Sequence, residues 1–254
     1  AFGYPCVTRA RLDEIDPAGV YALCGFAPWG LDEEVLRRLL ATATVLLDPG
    51  AAEAIGQRGL GQLIGLGRVR RLARARDPFA LEEALDLPPS GVPERATLNI
   101  PRPEDGIAVY DLADGAEPRT RVLDYELGAM GTGTYVYRNP DGGRGLVVPT
   151  PLPCPPTFFN WIRKHWLDRA LGEVAGPVLP GVTNVPFALF SARVGERYRT
   201  LFVANLMFEV YDRVEFALPA PWARATWSLA VPSRDQAARI NQTGGALEVR
   251  CELA

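Results

Sequence analysis

Two side chains near the start of the chain have the type and position that ligand binding requires. Trp29 and Asp48 each follow a short apolar segment, in two loops that would lie at one edge of a parallel sheet. An indole could stack on a sugar ring, and a carboxylate could accept hydrogen bonds from sugar hydroxyls. Each residue also has a structural interpretation, which we favour. Trp29 would pack against an adjacent domain, and Asp48 would cap the helix that begins behind Pro49.

Signatures of the common catalytic and metal sites are absent from the sequence. The single histidine, His165, excludes His-rich zinc motifs, and its place near the apolar face of a predicted helix is typical of a core or boundary histidine. No G-x-S-x-G segment occurs, and the glycines at 59 and 61 follow a predicted helix, where they cannot hold a phosphate. We therefore predict no catalytic residue, no metal and no cofactor.

Cleavage of a glycosidic bond would require two facing carboxylates, about 5–5.5 Å apart or wider. Asp124, Glu126 and Glu209 fall in predicted strands, where nothing distinguishes them from solvated side chains. The sequence therefore identifies no acid and nucleophile pair.

The four cysteines are too far apart for a C-x-x-C motif or a zinc finger: they are Cys6, Cys24, Cys154 and Cys251. Cys24 belongs to an apolar predicted strand and Cys251 to an alternating one. Both patterns favour buried thiols over reactive ones. We expect the cysteines to be reduced and mostly buried.

Composition and charge restrict the partners that the chain can have. The net charge is -3, and no apolar run approaches the roughly 20 residues of a membrane span. Five arginines between residues 68 and 76 form a basic run, but Glu82 and Glu83 follow closely and no aromatic residues interleave. We predict neither nucleic-acid nor membrane binding. The compartment is unknown, with a cytoplasmic location favoured.

The first third of the chain has the pattern of an α/β domain. A strand over 20–24, a helix over 31–41, a strand over 44–47 and a helix over 50–58 follow one another, as in a parallel sheet. Two strands are too few for a stable sheet, so the others must come from residues 1–15, from later in the chain, or from upstream. We expect a truncated, partial flavodoxin-like domain over residues 1–87, ended by a Pro-rich linker.

From residue 94 the apolar residues alternate, which predicts a mostly antiparallel all-β sandwich over residues 94–254, interrupted by one helix over 157–171. The helix would present Phe158, Phe159, Ile162 and Trp166 on its apolar face. Strands are predicted over these residues: 96–100, 107–112, 121–127, 134–138, 145–148, 186–192, 198–205, 208–218, 222–229 and 246–253.

Several segments resemble one family. GFAPWGLDEEVLRRLL and VLLDPGAAEAIGQRGLGQLIGL, within residues 24–66, are similar to the end of the glutamine-amidotransferase-like domain that follows the catalytic barrel in β-galactosidase-like glycoside hydrolases. LDYELGAMGTGTYVYRNPDGGRGLVV resembles the strand pair that follows that domain, and LFVANLMFEVYDRVEFAL resembles the C-terminal β-sandwich. The resemblance implies the C-terminal region of such an enzyme, in which the amidotransferase-like domain is non-catalytic.

Two functions are consistent with these features. The first is a non-catalytic accessory or assembly region of a carbohydrate-active enzyme, whose partners are an upstream catalytic barrel or another copy of the chain, with carbohydrate as a further candidate ligand. The second is a stand-alone binding or assembly protein that uses the face of the β-sandwich. A catalytic barrel encoded upstream of the chain would favour the first function over the second.

Overall fold

A computed structural model describes most of the chain. The described residues are 12, 14–85, 97–99, 106–152, 161–176, 181–182, 188–194, 199–205, 211–217, 239–243 and 246–253. The chain divides into two compact units. The first comprises residues 9–176, and the second comprises residues 1–8 together with 177–254.

The first unit contains eleven described strands, three α-helices and two short 3₁₀ helices. In chain order these are β1 (Val20–Leu23), a 3₁₀ helix (Ala27–Gly30), α1 (Glu33–Thr42), β2 (Thr44–Leu47), α2 (Pro49–Gln57), a 3₁₀ helix (Gly61–Ile64), β3 (Leu66–Leu72), β4 (Phe79–Ala84), β5 (Thr97–Asn99), β6 (Ile107–Leu112), β7 (Glu117–Pro118), β8 (Thr120–Asp124), β9 (Ala129–Thr132), β10 (Tyr135–Arg138), β11 (Arg144–Val147) and α3 (Trp161–Ala175).

The predicted β-α-β-α order at the start of this unit is confirmed. β1 and β2 pair in parallel, with Val20 opposite Thr44. Asp32 caps α1 by accepting a hydrogen bond from the Glu34 amide at 2.8 Å. The apolar face of α1 is buried through Leu36, Leu39 and Leu40, and all four residues of β2 are buried. A strand covered on both faces is typical of parallel sheets.

The remaining strands of this sheet come from later in the chain. Its order is β1-β2-β11-β10-β7. β11 pairs in parallel with β2, with Arg144 opposite Thr44, and β10 pairs antiparallel with β11 through the turn at residues 139–143. The sheet is therefore mixed. The sequence left three sources open for its missing strands, and the described strands that complete it, β7, β10 and β11, come from later in the chain, between residues 117 and 147.

The chain does not divide at the boundary between the predicted domains, 1–87 and 94–254. β2 pairs with β11, and β3 and β4 pair with β6 and β8, so strands from both sides of residue 90 share the same two sheets. The compact unit continues to Gly176 as a result. The predicted linker over 87–93 lies outside the described residues.

The second sheet of this unit has the order β3-β6-β9-β8-β4-β5, and all its pairings are antiparallel. The basic run begins on β3, which the sequence analysis did not predict as a strand. Leu66 and Leu72 at its ends are buried, while the arginines between them extend into solvent. Arg71 pairs with Glu53 at 3.0 Å, and Arg74 lies 5.4 Å from the centre of the Phe79 ring.

Helix α3 closes the first unit. The helix was predicted over 157–171. It spans Trp161–Ala175 in the structure, and residues 157–160 lie outside the described part. Among its described side chains, Trp166, Leu167, Ala170 and Val174 are buried. Arg144 Nη1 donates to the Val174 carbonyl at 2.9 Å, and Arg119 and Arg138 both bond the Glu173 carboxylate. The apolar side chains and these arginines hold the last turn of α3.

The second unit is antiparallel in all its described strands. They are β12 (Gly181–Val182), β13 (Ala188–Val194), β14 (Arg199–Asn205), β15 (Tyr211–Ala217), β16 (Arg239–Thr243) and β17 (Ala246–Leu253). One sheet has the order β12-β15-β17-β16, and β13 and β14 form the predicted hairpin. The strand predicted over 222–229 lies outside the described residues. At this level the expected fold class, an α/β sheet and antiparallel sheets with few helices, is confirmed.

None of the helices in the described ranges is long and apolar enough to cross a lipid bilayer.

Two buried tyrosines lie where the two sheets of the first unit share a core. The Tyr110 and Tyr135 rings pack edge to face, with 5.2 Å between centroids. The Tyr110 hydroxyl donates to the Val148 carbonyl at 2.7 Å. The Tyr135 hydroxyl is also buried but has no hydrogen-bond partner in the described part of the chain. The two rings therefore contribute in different ways to stability.

We expect the two tyrosine-to-phenylalanine changes to have opposite effects. Tyr110→Phe removes the donor to a buried carbonyl and should lower the free energy of unfolding by about 1–2 kcal/mol. Tyr135→Phe removes a buried hydroxyl that bonds no described group, so stability should stay the same or rise by up to about 1 kcal/mol. Urea unfolding of both variants tests this. A larger loss for Tyr135→Phe than for Tyr110→Phe would contradict the assignment.

We also expect these tyrosines to make the fold sensitive to alkali. Desolvation by burial raises the pKa of both hydroxyls above 10.0, their ordinary value. The folded state thus favours neutral tyrosine, so this contribution is complete below pH 10 and is lost as the pH rises toward the folded pKa values. Unfolding free energies measured from pH 8 to 11 should fall above pH 10. A Tyr110→Phe/Tyr135→Phe double variant should show a shallower fall, and an equal fall would refute the cause.

Candidate functional site

The candidate site lies at the carboxyl edge of the parallel strands β1 and β2. Residues 24–31 follow β1, and we call this segment the aromatic loop because it carries Phe26 and Trp29. Asp48 follows β2 directly. In open sheets, the loops beyond the carboxyl ends of parallel strands are where ligands and partners most often bind. The structure therefore brings both predicted binding residues to the same edge.

Asp48 is buried beneath the aromatic loop. Its side chain is only 2% exposed. One oxygen, Oδ1, accepts hydrogen bonds from the Ala51 amide at 2.9 Å and from the Gly25 amide at 2.8 Å. The first bond caps α2, and the second ties the aromatic loop to the start of that helix. This is the capping role that the sequence analysis favoured, and burial keeps the carboxylate out of reach of a ligand.

Two glycines allow the loops to pack closely over Asp48. Gly25 has a φ of 54°, a conformation that residues with a side chain rarely adopt. A Cβ atom at Gly50 would lie 2.7 Å from the Gly25 Cα. The aromatic loop and the first turn of α2 therefore contact each other backbone to backbone.

Arg58 holds the other end of the aromatic loop. From the end of α2, its Nη1 donates to the Pro28 carbonyl and, at 2.9 Å, to the Leu31 carbonyl. The guanidinium also lies 5.9 Å from the centre of the Trp29 ring, within cation–π range. Trp29 thus lies beside the guanidinium while 51% of it remains exposed.

Phe26 is the most exposed large apolar side chain in the described part of the first unit, at 84%. It precedes the 3₁₀ helix that carries Trp29, and the Trp29 amide donates to the Phe26 carbonyl at 2.9 Å. Neither Phe26 nor Arg58 was predicted as a site residue from the sequence. The aromatic-Pro-aromatic spacing in FAPW could have indicated Phe26, but Arg58 is separated from Leu31 by 27 residues, and no sequence pattern connects them.

Together these contacts make a rigid loop that presents two aromatic side chains to solvent. Its anchors are a buried carboxylate on one side and a guanidinium on the other, and both bond the loop backbone. A backbone that is already ordered loses little conformational entropy when a partner covers it. The arrangement can bind and orient a partner at this edge.

A second cluster of polar groups lies in the antiparallel sheet and was not predicted. Glu82 on β4 is fully buried, and its Oε1 accepts hydrogen bonds from the Thr120 hydroxyl and, at 3.0 Å, from the Thr134 hydroxyl. The adjacent Glu83 pairs with Arg121. Successive residues of a strand point to opposite faces, so these two carboxylates do not form a facing catalytic pair.

The other acidic residues and the histidine that the sequence offered for catalysis do not form a site in the described part of the chain. Asp124 stabilises a turn, with its Oδ1 accepting from the Glu126 and Gly128 amides at 2.9 and 2.7 Å. Residues 125–128 thus form a turn where a strand was expected. Glu209 and the side chain of His165 lie outside the described part. Among described residues, no group of three or more His, Cys, Asp or Glu side chains could hold a metal ion.

The expectation for the cysteines is tested at one position only. Cys24, directly after β1, is half-buried. Cys6 and Cys154 lie outside the described residues, as does the side chain of Cys251. The expectation of four reduced cysteines therefore stays a prediction.

Comparison of the chain with models of known protein families gave no match. A comparison with curated protein sequences gave none either.

We predict that Asp48 contributes more to stability than an ordinary helix cap does. Asp48→Ala removes the acceptor of two amide hydrogen bonds at a buried site and should lower the unfolding free energy by about 2 kcal/mol or more. The matched control is Asp32→Ala, which removes the exposed cap of α1 and should cost about 1 kcal/mol. Asp48→Asn keeps an acceptor oxygen and should lie between wild type and Asp48→Ala. Urea unfolding measures all three, and equal losses for the two alanine variants would contradict the anchoring role.

Proposed function

We propose that the chain is a non-catalytic accessory and assembly region of a carbohydrate-active enzyme of the β-galactosidase-like glycoside hydrolase type. The observation that carries the proposal is the aromatic loop, which is held rigidly at the carboxyl edge of the sheet and exposes Phe26 and Trp29. Large exposed aromatic side chains on an ordered backbone are typical of contact surfaces.

The chemistry around the loop supports contact over catalysis. The Asp48 carboxylate is buried and bonds backbone amides, and the Arg58 guanidinium bonds backbone carbonyls. Both charges of the site are thus used to hold the loop. What remains accessible is mostly apolar ring surface, which favours a partner that buries apolar area.

The arrangement of strands and helices also supports the family resemblance. The β-α-β-α order with parallel β1 and β2 is consistent with the end of an amidotransferase-like domain of flavodoxin-like type. The antiparallel strands of the second unit are consistent with a C-terminal β-sandwich. In this proposal the catalytic carboxylates belong to a barrel that precedes the region, and the aromatic loop contacts that barrel or another copy of the chain.

The test is the turnover of aryl glycosides by the purified chain. We expect no turnover above the buffer rate, because in this proposal the acid and nucleophile pair belongs to the preceding barrel. Cooperative thermal unfolding of the same sample shows that inactivity does not reflect misfolding. Activity that persists through repurification, and that disappears in Glu82→Gln or Glu126→Gln, would overturn the proposal.

A further inference from the structure

The basic run over residues 68–76 was given no function because Glu82 and Glu83 follow it closely in the sequence. In the structure, partners outside the run engage both carboxylates. Glu82 is fully buried and accepts hydrogen bonds from two threonine hydroxyls. Glu83 pairs with Arg121. Their closeness in sequence is therefore no reason to discount the basic run.

Most of the basic run keeps its positive charge uncompensated. Of its five arginines, Arg71 alone forms an ion pair within the described residues, with Glu53 at 3.0 Å. Arg70 donates to the Met130 carbonyl, and Arg74 lies over an aromatic ring. These two contacts orient the guanidinium groups but leave their charge in place. The run therefore presents a strip of positive charge to solvent.

The strip lies along an edge of the antiparallel sheet. In the part of the chain that the structure describes, β3 is the first strand of its sheet and pairs only with β6. An edge strand directs alternate N–H and C=O groups away from its neighbour, where a further strand can bond them. Because side chains alternate along a strand, Arg68 and Arg70 lie on one face and Arg71 on the other. Asp111, opposite Arg68 on β6, offsets part of the charge on the first face.

The charge of the strip decides which strand can pair with this edge. A second copy of β3 would place arginines opposite arginines, and like charges directly opposite destabilise a pair of strands. A strand with acidic side chains at alternate positions would place opposite charges together. Nucleic acid is less suited, because the edge carbonyls would repel phosphates and no aromatic side chains interleave with the arginines for base stacking.

We propose that the β3 edge binds an acidic, extended segment of another protein by strand addition. In this mode, main-chain hydrogen bonds supply affinity, and the arginines select for acidic side chains. The surface belongs to the second sheet of the first unit and uses no residue of the aromatic loop. The proposal is therefore independent of the accessory function proposed above.

The test measures the binding of labelled probes by fluorescence anisotropy. The acidic peptide has seven residues, as many as β3, and alternates Glu with Val. A second peptide alternates Glu with Pro, which keeps the charge but removes the amide donors that strand addition requires. A third peptide alternates Lys with Val and reverses the charge. Single-stranded oligothymidine is the nucleic-acid probe.

For wild type we expect the Glu-Val peptide to bind more tightly than the other three probes. The affinity should fall as salt is added, because the arginines are exposed and their attraction is screened. Amide hydrogen exchange within residues 67–72 should slow when the Glu-Val peptide binds, since outward N–H groups gain acceptors. This exchange measurement uses wild type alone, so it does not depend on how well a variant folds.

Matched double variants test the arginines. Arg68→Thr/Arg70→Thr keeps strand-compatible side chains and should weaken binding of the Glu-Val peptide about tenfold, because two exposed ion pairs are lost. Arg68→Lys/Arg70→Lys keeps the charge and should bind as tightly as wild type. The control, Arg37→Gln/Arg38→Gln, removes two exposed arginines from α1 and should leave binding unchanged. Circular dichroism and cooperative unfolding of each variant show that the fold is preserved.

Other outcomes would overturn the proposal. No binding of the Glu-Val peptide up to about 0.5 mM protein excludes the surface. Equal affinity for the Glu-Pro peptide, or unchanged exchange in β3, shows attraction by charge without strand addition. Equal affinity of the threonine variant and wild type excludes the arginines. Tighter binding of oligothymidine identifies a nucleic-acid surface instead. None of these results affects the non-catalytic role, which the glycoside assay tests separately.

Discussion

The fold of the first unit depends on the need to cover β2. All four residues of this strand are buried, and its two edges pair with β1 on one side and β11 on the other. A strand of this kind cannot be stable unless helices cover its faces and neighbours satisfy its backbone groups. α1 and α2 meet the first requirement, because they pack against β2. The recruitment of β11, almost a hundred residues later in the chain, follows from the second.

That recruitment explains why one compact unit extends to residue 176. Once β11 pairs with β2, the turn at 139–143 has to pack against the end of α1. The Gly143 amide donates to the Ala41 carbonyl at 2.6 Å, and a Cβ atom at Gly143 would lie 2.2 Å from the Leu40 carbonyl oxygen. The same turn brings Asp141 to a shallow groove that Arg38, Ala41 and Thr42 of α1 also line. The groove is thus a product of the sheet pairing and does not belong to α1 alone.

At the opposite edge, two charged side chains order the aromatic loop by bonding its backbone. Asp48 meets amide hydrogens and Arg58 meets carbonyl oxygens, so each charge is matched by the dipoles that it attracts. This use of charge leaves the aromatic rings as the accessible part of the loop. The loop backbone is therefore ordered before any partner binds, which is what the proposed contact surface requires.

Local sequence patterns were sufficient for the elements that depend on local interactions. The Asp caps of α1 and α2, the buried run of β2 and the β13–β14 hairpin each arise from residues close together in the chain. For the same reason Asp48 could be interpreted as a cap before its contacts were known. Its second bond, to Gly25 across 23 residues, could not be anticipated.

What only the tertiary structure decided are the pairings between distant segments. β3 and β4 carry several charged side chains and were not predicted as strands. Their charges are accommodated by partners on other strands and helices, such as Glu83 with Arg121 and Arg71 with Glu53. The sequence determined the helix caps, the apolar strands and the aromatic residues of the loop, because propensity and periodicity act over a few residues. Which strands pair, where the first unit ends and what holds the loop rigid were decided by contacts that exist only in the folded chain.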